Sequence, residues 1–228
     1  VLIKNGQLKE GYMDSANLGE GSGLLLRNLH KQYGEASIVE LLDRFNRFGI
    51  GILLKYGFSV NIGDTDLSKN ARSDIDKILE EALKSVNQFI KEYEKGKLEL
   101  LPGRSLDETL ELRILEVLNK ARNSTGEVVA KNADQGSDTM TMVKSGARGN
   151  LINLAQMSAC VGQQAMRGGR IDKGYKGRTL SCFKKNDLGS AARGFIVNGF
   201  KSGLKPHELF FMAMTGRDSM MDTALRTP

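Results

Sequence analysis

The residues from Gly162 to Arg178, GQQAMRGGRIDKGYKGR, hold five glycines and five cationic side chains. Such a mixture suits phosphate. Glycine lets main-chain amides come close to an anion, and Arg or Lys neutralises it. The sharpest form of that chemistry is the nucleotide P-loop, which requires G-x-x-x-x-G-K-[ST]. Gly169-Arg170-Ile171-Asp172-Lys173-Gly174 has the glycine spacing, but Tyr175 stands where lysine is needed and no buried strand leads into it. The P-loop is rejected, which leaves positive charge and mobile backbone with no chemistry of their own.

Other candidates were weighed in the same way. Ser145-Gly146-Ala147-Arg148-Gly149-Asn150 places Arg148 just before an expected helix start at Asn150, where unpaired amides and the helix dipole favour an anion. A simple turn accounts for the same residues. Gln156, Gln163 and Gln164 add neutral donors and acceptors to an otherwise apolar helix and its exit, as residues facing a polar cavity or partner do. Asp64-Thr65-Asp66 could offer carboxylates to a metal, but beside a helix start these residues read as turn formers and caps. His30 and His207 have no nearby ligand set. No residue is assigned as catalytic or as a metal ligand.

The elements that must position these residues follow from periodicity. Val1 to Leu8 reads as a strand, an Asn5-Gly6 turn and a returning strand. Helices are expected over Leu24 to Tyr33 and Glu35 to Tyr56, with Gly49 and Gly51 marking a close packing contact. Gly57 to Thr65, with Phe58, Val60 and Ile62 alternating, predicts a short strand. From Ser68, the stripe Ile75, Ile78, Leu79, Ala82, Leu83, Val86, Phe89, Ile90 and Tyr93 predicts a long amphipathic helix. A second opens with a Ser105/Glu108 capping box and runs to about Ala121, completing an antiparallel hairpin. Shorter helices are expected at Gly126 to Asn132, Asp138 to Lys144, Asn150 to Val161 and Leu188 to Phe200, and another starting near Pro206. The fold class is mainly α with a small β element.

Composition narrows the function classes. Hydrophobic content of 40% with 26% charged residues is that of a globular protein. The net charge is +6 and the pI about 9.3. Acidic residues are frequent from Asp64 to Glu127 and cations dominate from Lys144 to Lys205, which suits an anionic partner or a solvated basic surface. Cys160 and Cys182 match no zinc or redox spacing and read as free thiols in a reducing compartment. No window approaches the ~18–20 apolar residues of a membrane span, so no membrane partner is expected. Val1 enters what reads as a strand and the last residues as a helix without a cap, so a longer polypeptide is expected.

Several long stretches then point one way. KSGARGNLINLAQMSACVGQQAMRGGRI, GYKGRTL, FKKNDLGSAARGFIVNGFKSGL and ELFFMAMTGRDSMMDTALRT, with GFSVNIGDT and VLNKARNSTG before them, closely resemble the largest subunit of cellular multisubunit RNA polymerases, in the archaeal and eukaryotic style. The resemblance covers essentially the whole chain. It implies part of a pore domain over residues 1–67, a helical-hairpin funnel around the secondary channel over 68–204, and a truncated bridge helix over 205–228. Through that channel nucleotides enter and backtracked RNA leaves, and transcript-cleavage factors dock on the funnel.

By the same resemblance Arg148 faces the incoming triphosphate. Gln156, Gln163, Gln164 and Arg170 line the channel, and with Arg122, Ile152, Gly168 and Gly216 they match the pocket that takes α-amanitin in RNA polymerase II. Arg217, Asp222, Thr223, Ala224 and Thr227 fall on the bridge helix, with Thr227 near the template base. Departures are Ser181-Cys182 in RTLSCF, Met212, Gly169 and Thr215. The family's metal-binding NADFDGD motif is not in these residues, so magnesium is expected to be held elsewhere in the complete enzyme and this chain to be inactive alone. The implied partners are other polymerase subunits, DNA template, RNA transcript, nucleoside triphosphates and a cleavage factor, in the cytoplasm (or the nucleus, if eukaryotic). A free-standing basic nucleic-acid-binding module is the competing reading. Tyr175, Phe183, Phe195 and Phe200 are not spaced as a base-stacking platform, which counts against it.

Overall fold

The computed structural model describes residues 1–21, 23–172 and 174–226. In chain order the elements are β1 (Leu2–Lys4), β2 (Gln7–Glu10), α1 (Ser15–Leu18), α2 (Leu24–Tyr33), α3 (Glu35–Tyr56), a 3-10 turn (Ile62–Thr65), α4 (Lys69–Glu94), α5 (Leu106–Asn132), α6 (Asp138–Ser145), α7 (Leu151–Ser158), β3 (Gly162–Gln163), β4 (Ala165–Met166), β5 (Gly169–Arg170), β6 (Phe195–Ile196) and α8 (Pro206–Arg226). The chain is mainly α, as expected, and its β content extends beyond the first hairpin. It forms two compact units: Val1–Asp64 with Asp134–Asn150, and Thr65–Ala133 with the residues from Leu151 onward. The boundaries at 67 and 204 implied by the family resemblance are not those of the compact units.

In the first unit β1 and β2 pair antiparallel around Asn5 and Gly6. Their φ values of 50° and 72° are the left-handed pair that a tight hairpin turn demands. Helices α2 and α3 meet at Gly34, whose φ of 81° turns the chain where a side chain would be strained. Helix α3 buries none of its residues, and Phe48, Leu54 and Tyr56 stand exposed. Nothing lies within 4 Å of where a Cβ on Gly49 or Gly51 would sit, so the expected close contact is not made among the described residues.

The strand expected over Gly57 to Thr65 does not form. Phe58, Val60 and Ile62 are exposed, and among the described residues no strand pairs with them. Side chains satisfy the backbone instead. Ser59 N donates to Asp138 Oδ2 at 2.8 Å, Asp64 N to Asn61 Oδ1 at 3.2 Å, and Asn61 N to Asp64 Oδ2 at 3.3 Å. These local bonds bend the segment into its 3-10 turn. Asp64 is therefore a turn residue, as its position suggested, and Thr139 also donates its hydroxyl to it.

The second unit is built on the α4–α5 hairpin. Ser68 caps α4, accepting from Ala71 N, and the Ser105/Glu108 capping box closes the start of α5 in both directions. Ala71, Ile75, Leu79, Ala82 and Val86 face Leu110, Ile114, Leu118 and Ala121 in a closed apolar seam. Tyr93 Oη donates to Asp107 Oδ1 at 2.6 Å, tying the end of α4 to the start of α5.

Helix α5 overruns its expected end near Ala121 and absorbs the separate helix expected at Gly126 to Asn132. Ser124-Thr125-Gly126 is a weak helical run on propensity. Packing overrides it. Thr125 is fully buried and donates its hydroxyl to Arg122 O at 2.8 Å, and the hydrogen on Gly126 faces Ala155 of α7, 3.6 Å from where a Cβ would sit.

The helix expected over Leu188 to Phe200 is replaced by turns and β6. In its first half the amides stay local, Arg193 N reaching Gly189 O and Phe195 N reaching Ser190 O, whereas at its end Phe200 N donates to Gln156 O and, just beyond, Lys201 N to Met157 O, both at 3.0 Å. A Cβ on Gly199 would sit 3.0 Å from the carbonyl oxygens of Met157 and Ala159, and Gly194 has φ of 91°. Local turns and tertiary hydrogen bonds together have taken the place of a continuous i→i−4 ladder.

Ile114→Ala should destabilise the protein by about 2–5 kcal/mol, since the side chain is fully buried in the hairpin seam. Denaturant unfolding followed by circular dichroism measures this; a loss well under 1 kcal/mol would mean that the seam does not set stability.

Candidate functional site

The residues singled out as channel-lining lie mostly where α5, α7 and the short strands of the second unit converge. Gln156, half-buried on α7, donates Nε2 to Val161 O at 3.3 Å and so closes the exit from its own helix. Gln163 lies in β3, which pairs antiparallel with β6 in the register Gly162↔Ile196 and Gln163↔Phe195. Its Nε2 donates to Gln164 O at 2.7 Å and Arg193 O at 2.8 Å, while its Oε1 is a buried acceptor with no hydrogen-bond partner. Gln164 is half-buried and anchored by its backbone N to Gly194 O at 2.9 Å.

Arg122 approaches the same strand from α5. Its stem covers Gly162, where a Cβ would sit 3.0 Å from Arg122 Cδ and where a φ of 86° would strain any side chain. The Arg122 Nε is buried without a partner and its Nη2 reaches Asn123 Oδ1 at 3.4 Å. An unmatched donor on Arg122 and an unmatched acceptor on Gln163 thus belong to residues flanking Gly162. Buried polar atoms left unpaired are costly and are usually matched by water or a ligand.

Arg170 has a different setting. Its side chain is fully buried and forks onto Glu111, with Nε–Oε2 at 2.8 Å and Nη2–Oε1 at 2.7 Å, while Nη1 donates to Leu188 O at 3.1 Å. The guanidinium is committed to holding β5 against α5. Arg167 and Gly168, at φ of 51° and 83°, form the turn that lets β4 and β5 pair and so places Arg170.

Arg148 belongs to the first unit and is exposed between Gly146 and Gly149, both at positive φ. Ile152 is 40% exposed on α7. On α8, Gly216 and Arg217 are exposed, Asp222 pairs with Arg226 at 2.7 Å, Thr223 donates its hydroxyl to Ser219 O at 3.0 Å, and Ala224 is exposed. Thr227 lies outside the described residues. Beside α8, a cleft of about 750 Å³ is lined by Tyr175, Lys176, Arg178 and Lys185 together with Phe210 and Met214.

Some structural partners were not foreseen. Glu111 takes the buried Arg170, and Glu208 is 3% exposed yet accepts from Val197 N, Asn198 Nδ2 and Lys205 N at 3.3, 2.9 and 2.8 Å. A signal for Glu208 was present: Pro206 in the first turn makes Lys205 the cap, and a Glu three residues on completes a capping-box spacing. Glu111 had none, because its partner lies 59 residues away. Among the described residues no group of three or more His, Cys, Asp or Glu side chains is gathered, and no transfer step is assigned to them.

Glu111→Ala should cost more stability than Arg170→Met. The first strands a fully buried guanidinium, at about 3–5 kcal/mol, whereas the second leaves a carboxylate that is 35% exposed and can hydrate. Equal or reversed losses on denaturant unfolding would contradict the buried fork.

Burial pushes the Cys160 thiol above its ordinary value, partly countered by the Thr125 hydroxyl 3.6 Å away and by Arg122. The folded state therefore holds the Cys160 proton more tightly than the unfolded one. This contribution to stability is intact below the unfolded thiol pKa of about 8.5 and is lost as pH rises through the folded value. Iodoacetamide should label the exposed Cys182 first, with Cys160 more than about a hundredfold slower in the native protein. Comparable rates by peptide mass analysis would refute the buried placement.

Comparison with known proteins agrees with this architecture. Residues 1–65 match the family model described as RNA polymerase Rpb1, domain 3, and residues 90–196 match RNA polymerase Rpb1, domain 4. A relative from Halococcus morrhuae named DNA-directed RNA polymerase subunit Rpo1N is 43% identical over 227 residues, covering 100% of this chain and 65% of the relative. Relatives of the same name from Halobacterium salinarum and Methanothermobacter thermautotrophicus are each 44% identical, across 100% of this chain but only 23% and 26% of their own lengths. The chain thus spans under two thirds of the first of these and about a quarter of the others. With both domain matches in order and homology running its whole length, the chain belongs to the archaeal-type family of the largest subunit of DNA-directed RNA polymerase.

Proposed function

We propose that this chain serves DNA-templated RNA synthesis as a structural wall of the polymerase's secondary channel, with the nucleotidyl-transfer chemistry supplied by other parts of the enzyme. The observation that carries the reading is similarity over 100% of the chain to relatives named as polymerase subunits. In this reading residues 1–67 contribute to the pore, 68–204 form the funnel and α8 begins the bridge helix. Arg148 meets the triphosphate of the incoming nucleotide. Its exposed position among glycines at positive φ suits that role, because the backbone there can come close to a ligand. Gln156, Gln163, Gln164 and Arg122 present polar groups to the channel, and Arg170 keeps its strand in place behind them. Magnesium is held by carboxylates outside this chain. The partners are the remaining subunits, template, transcript, nucleoside triphosphates and a cleavage factor docking on the funnel, in the cytoplasm. No helix among the described residues is long and apolar enough to cross a membrane.

The competing module reading loses support from two of its four aromatic residues, while Tyr175 and Phe200 stand exposed. Phe195 is 2% exposed, and Phe183 stacks on Phe211 at 6.0 Å and meets His207 edge-on at 5.5 Å. Rings used in packing cannot form a platform for bases.

In the complete polymerase, Arg148→Ala should raise the apparent nucleotide requirement by about tenfold, and Arg148→Lys should recover part of the loss because charge remains while the planar fork is gone. Nucleotide-addition kinetics measure it, and unchanged kinetics in a normally assembled alanine enzyme would remove Arg148 from the site. Gly216→Ala meets open space, so its effect should be to stiffen α8 by about 1 kcal/mol without a clash. Elongation rate and pause lifetime should both change; wild-type values would show that flexibility at Gly216 is not used.

A further inference from the structure

The start of α8 is held by one buried carboxylate, and that carboxylate belongs to a hydrogen-bonded run leading back to the channel glutamines. Glu208 accepts from Lys205 N at 2.8 Å, just before its own helix, and from Val197 N and Asn198 Nδ2 at 3.3 and 2.9 Å on the segment after β6. Asn198 O accepts from Val161 N at 3.0 Å, and Val161 O accepts from Gln156 Nε2 at 3.3 Å. The same segment returns to α7 through Phe200 N to Gln156 O at 3.0 Å, and β6 itself pairs with the strand that carries Gln163. Each link is a directional bond, and Glu208, Val197, Asn198, Val161 and Gln156 are buried or half-buried, so the orientation of α8 cannot change freely while Gln156 and Gln163 stay fixed.

We infer that Glu208 is a positioning residue: it clamps the bridge-helix start to the wall bearing Gln156 and Gln163, so that the two move as one body. The inference rests on the polymerase reading for its kinetic consequence, and on the bonds alone for the clamp. A carboxylate suits the position because all of its recorded partners donate. Glutamine would turn an NH₂ toward at least one donor and leave that pair repelling.

The test uses complete reconstituted polymerase carrying Glu208→Gln, Asn198→Asp and the double variant. Glu208→Gln should change the maximal nucleotide-addition rate or the pause lifetime by at least about threefold while the apparent nucleotide KM stays within about twofold, a split that general misfolding would not give. Asn198→Asp faces one carboxylate with another and should be at least as damaging. The double variant restores a donor–acceptor pair across the gap and should recover a good part of the loss. Hydrogen exchange at Val197 and Lys205 should rise by about tenfold or more in Glu208→Gln, with the α5 amides unchanged. Wild-type rates and pausing in Glu208→Gln, or a double variant no better than the two losses combined, would overturn the inference. Absence of templated synthesis by the wild-type enzyme would instead remove the functional reading, and exchange at Val197 and Lys205 would still decide the clamp.

Discussion

Helix α5 has to be buried on more than one side, and the rest of the second unit follows from that. It packs along α4, then α7, and touches β3 and β5. An ordinary surface helix satisfies one apolar stripe and leaves the opposite face to water. Here Leu110, Ile114 and Leu118 supply the stripe toward the hairpin, while Thr109, Thr125 and Gly126 supply small or self-satisfied surface where other elements press in. Thr109 donates to Ser105 O at 2.8 Å and Thr125 to Arg122 O, so neither hydroxyl needs an external partner. The helix can be approached closely because it has already met its own polar needs.

Two buried charges then fix what surrounds it. The Arg170–Glu111 fork joins β5 to α5, and Glu208 joins α8 to the segment after β6. Neither is an economical source of stability, since desolvation of such groups offsets most of the attraction. Their geometric effect is stronger. A bidentate fork and a carboxylate with three donors each permit a single arrangement of the chains that meet there. Short strands only two residues long gain a defined place in this way without an extended sheet.

Local signals in the sequence were legible and tertiary ones were not. The Asn5-Gly6 turn, the α4 stripe, the Ser105/Glu108 box and Pro206 each act within a few residues, and each element they imply is present. Helix α5 continues past Ala121 because Gly126 packs against Ala155, nearly thirty residues on. Leu188 to Phe200 has a helical pattern, but β6 within it pairs with β3, its Gly194 and Asn198 carbonyls accept from Gln164 and Val161, and Phe200 N donates to α7. Phe58, Val60 and Ile62 alternate like a strand, but among the described residues no strand pairs with them. Of the candidate site, the glutamines and Arg148 are expectations from residue type and family resemblance. That Arg170 points into the fold, and that Glu111 and Glu208 hold it together, depends on contacts between distant parts of the chain.

Helix α8 is buried at one end and bare along the other. Glu208 and Phe211 are enclosed, whereas every described residue from Ser219 onward is exposed. From Glu208 to Arg226 the rise of 1.5 Å per residue covers roughly 27 Å. A tilt of only about 5° where Glu208 holds the helix therefore displaces Arg226 by more than about 2 Å. Small changes in hydrogen-bond length around one carboxylate are thus enlarged at positions further along the helix.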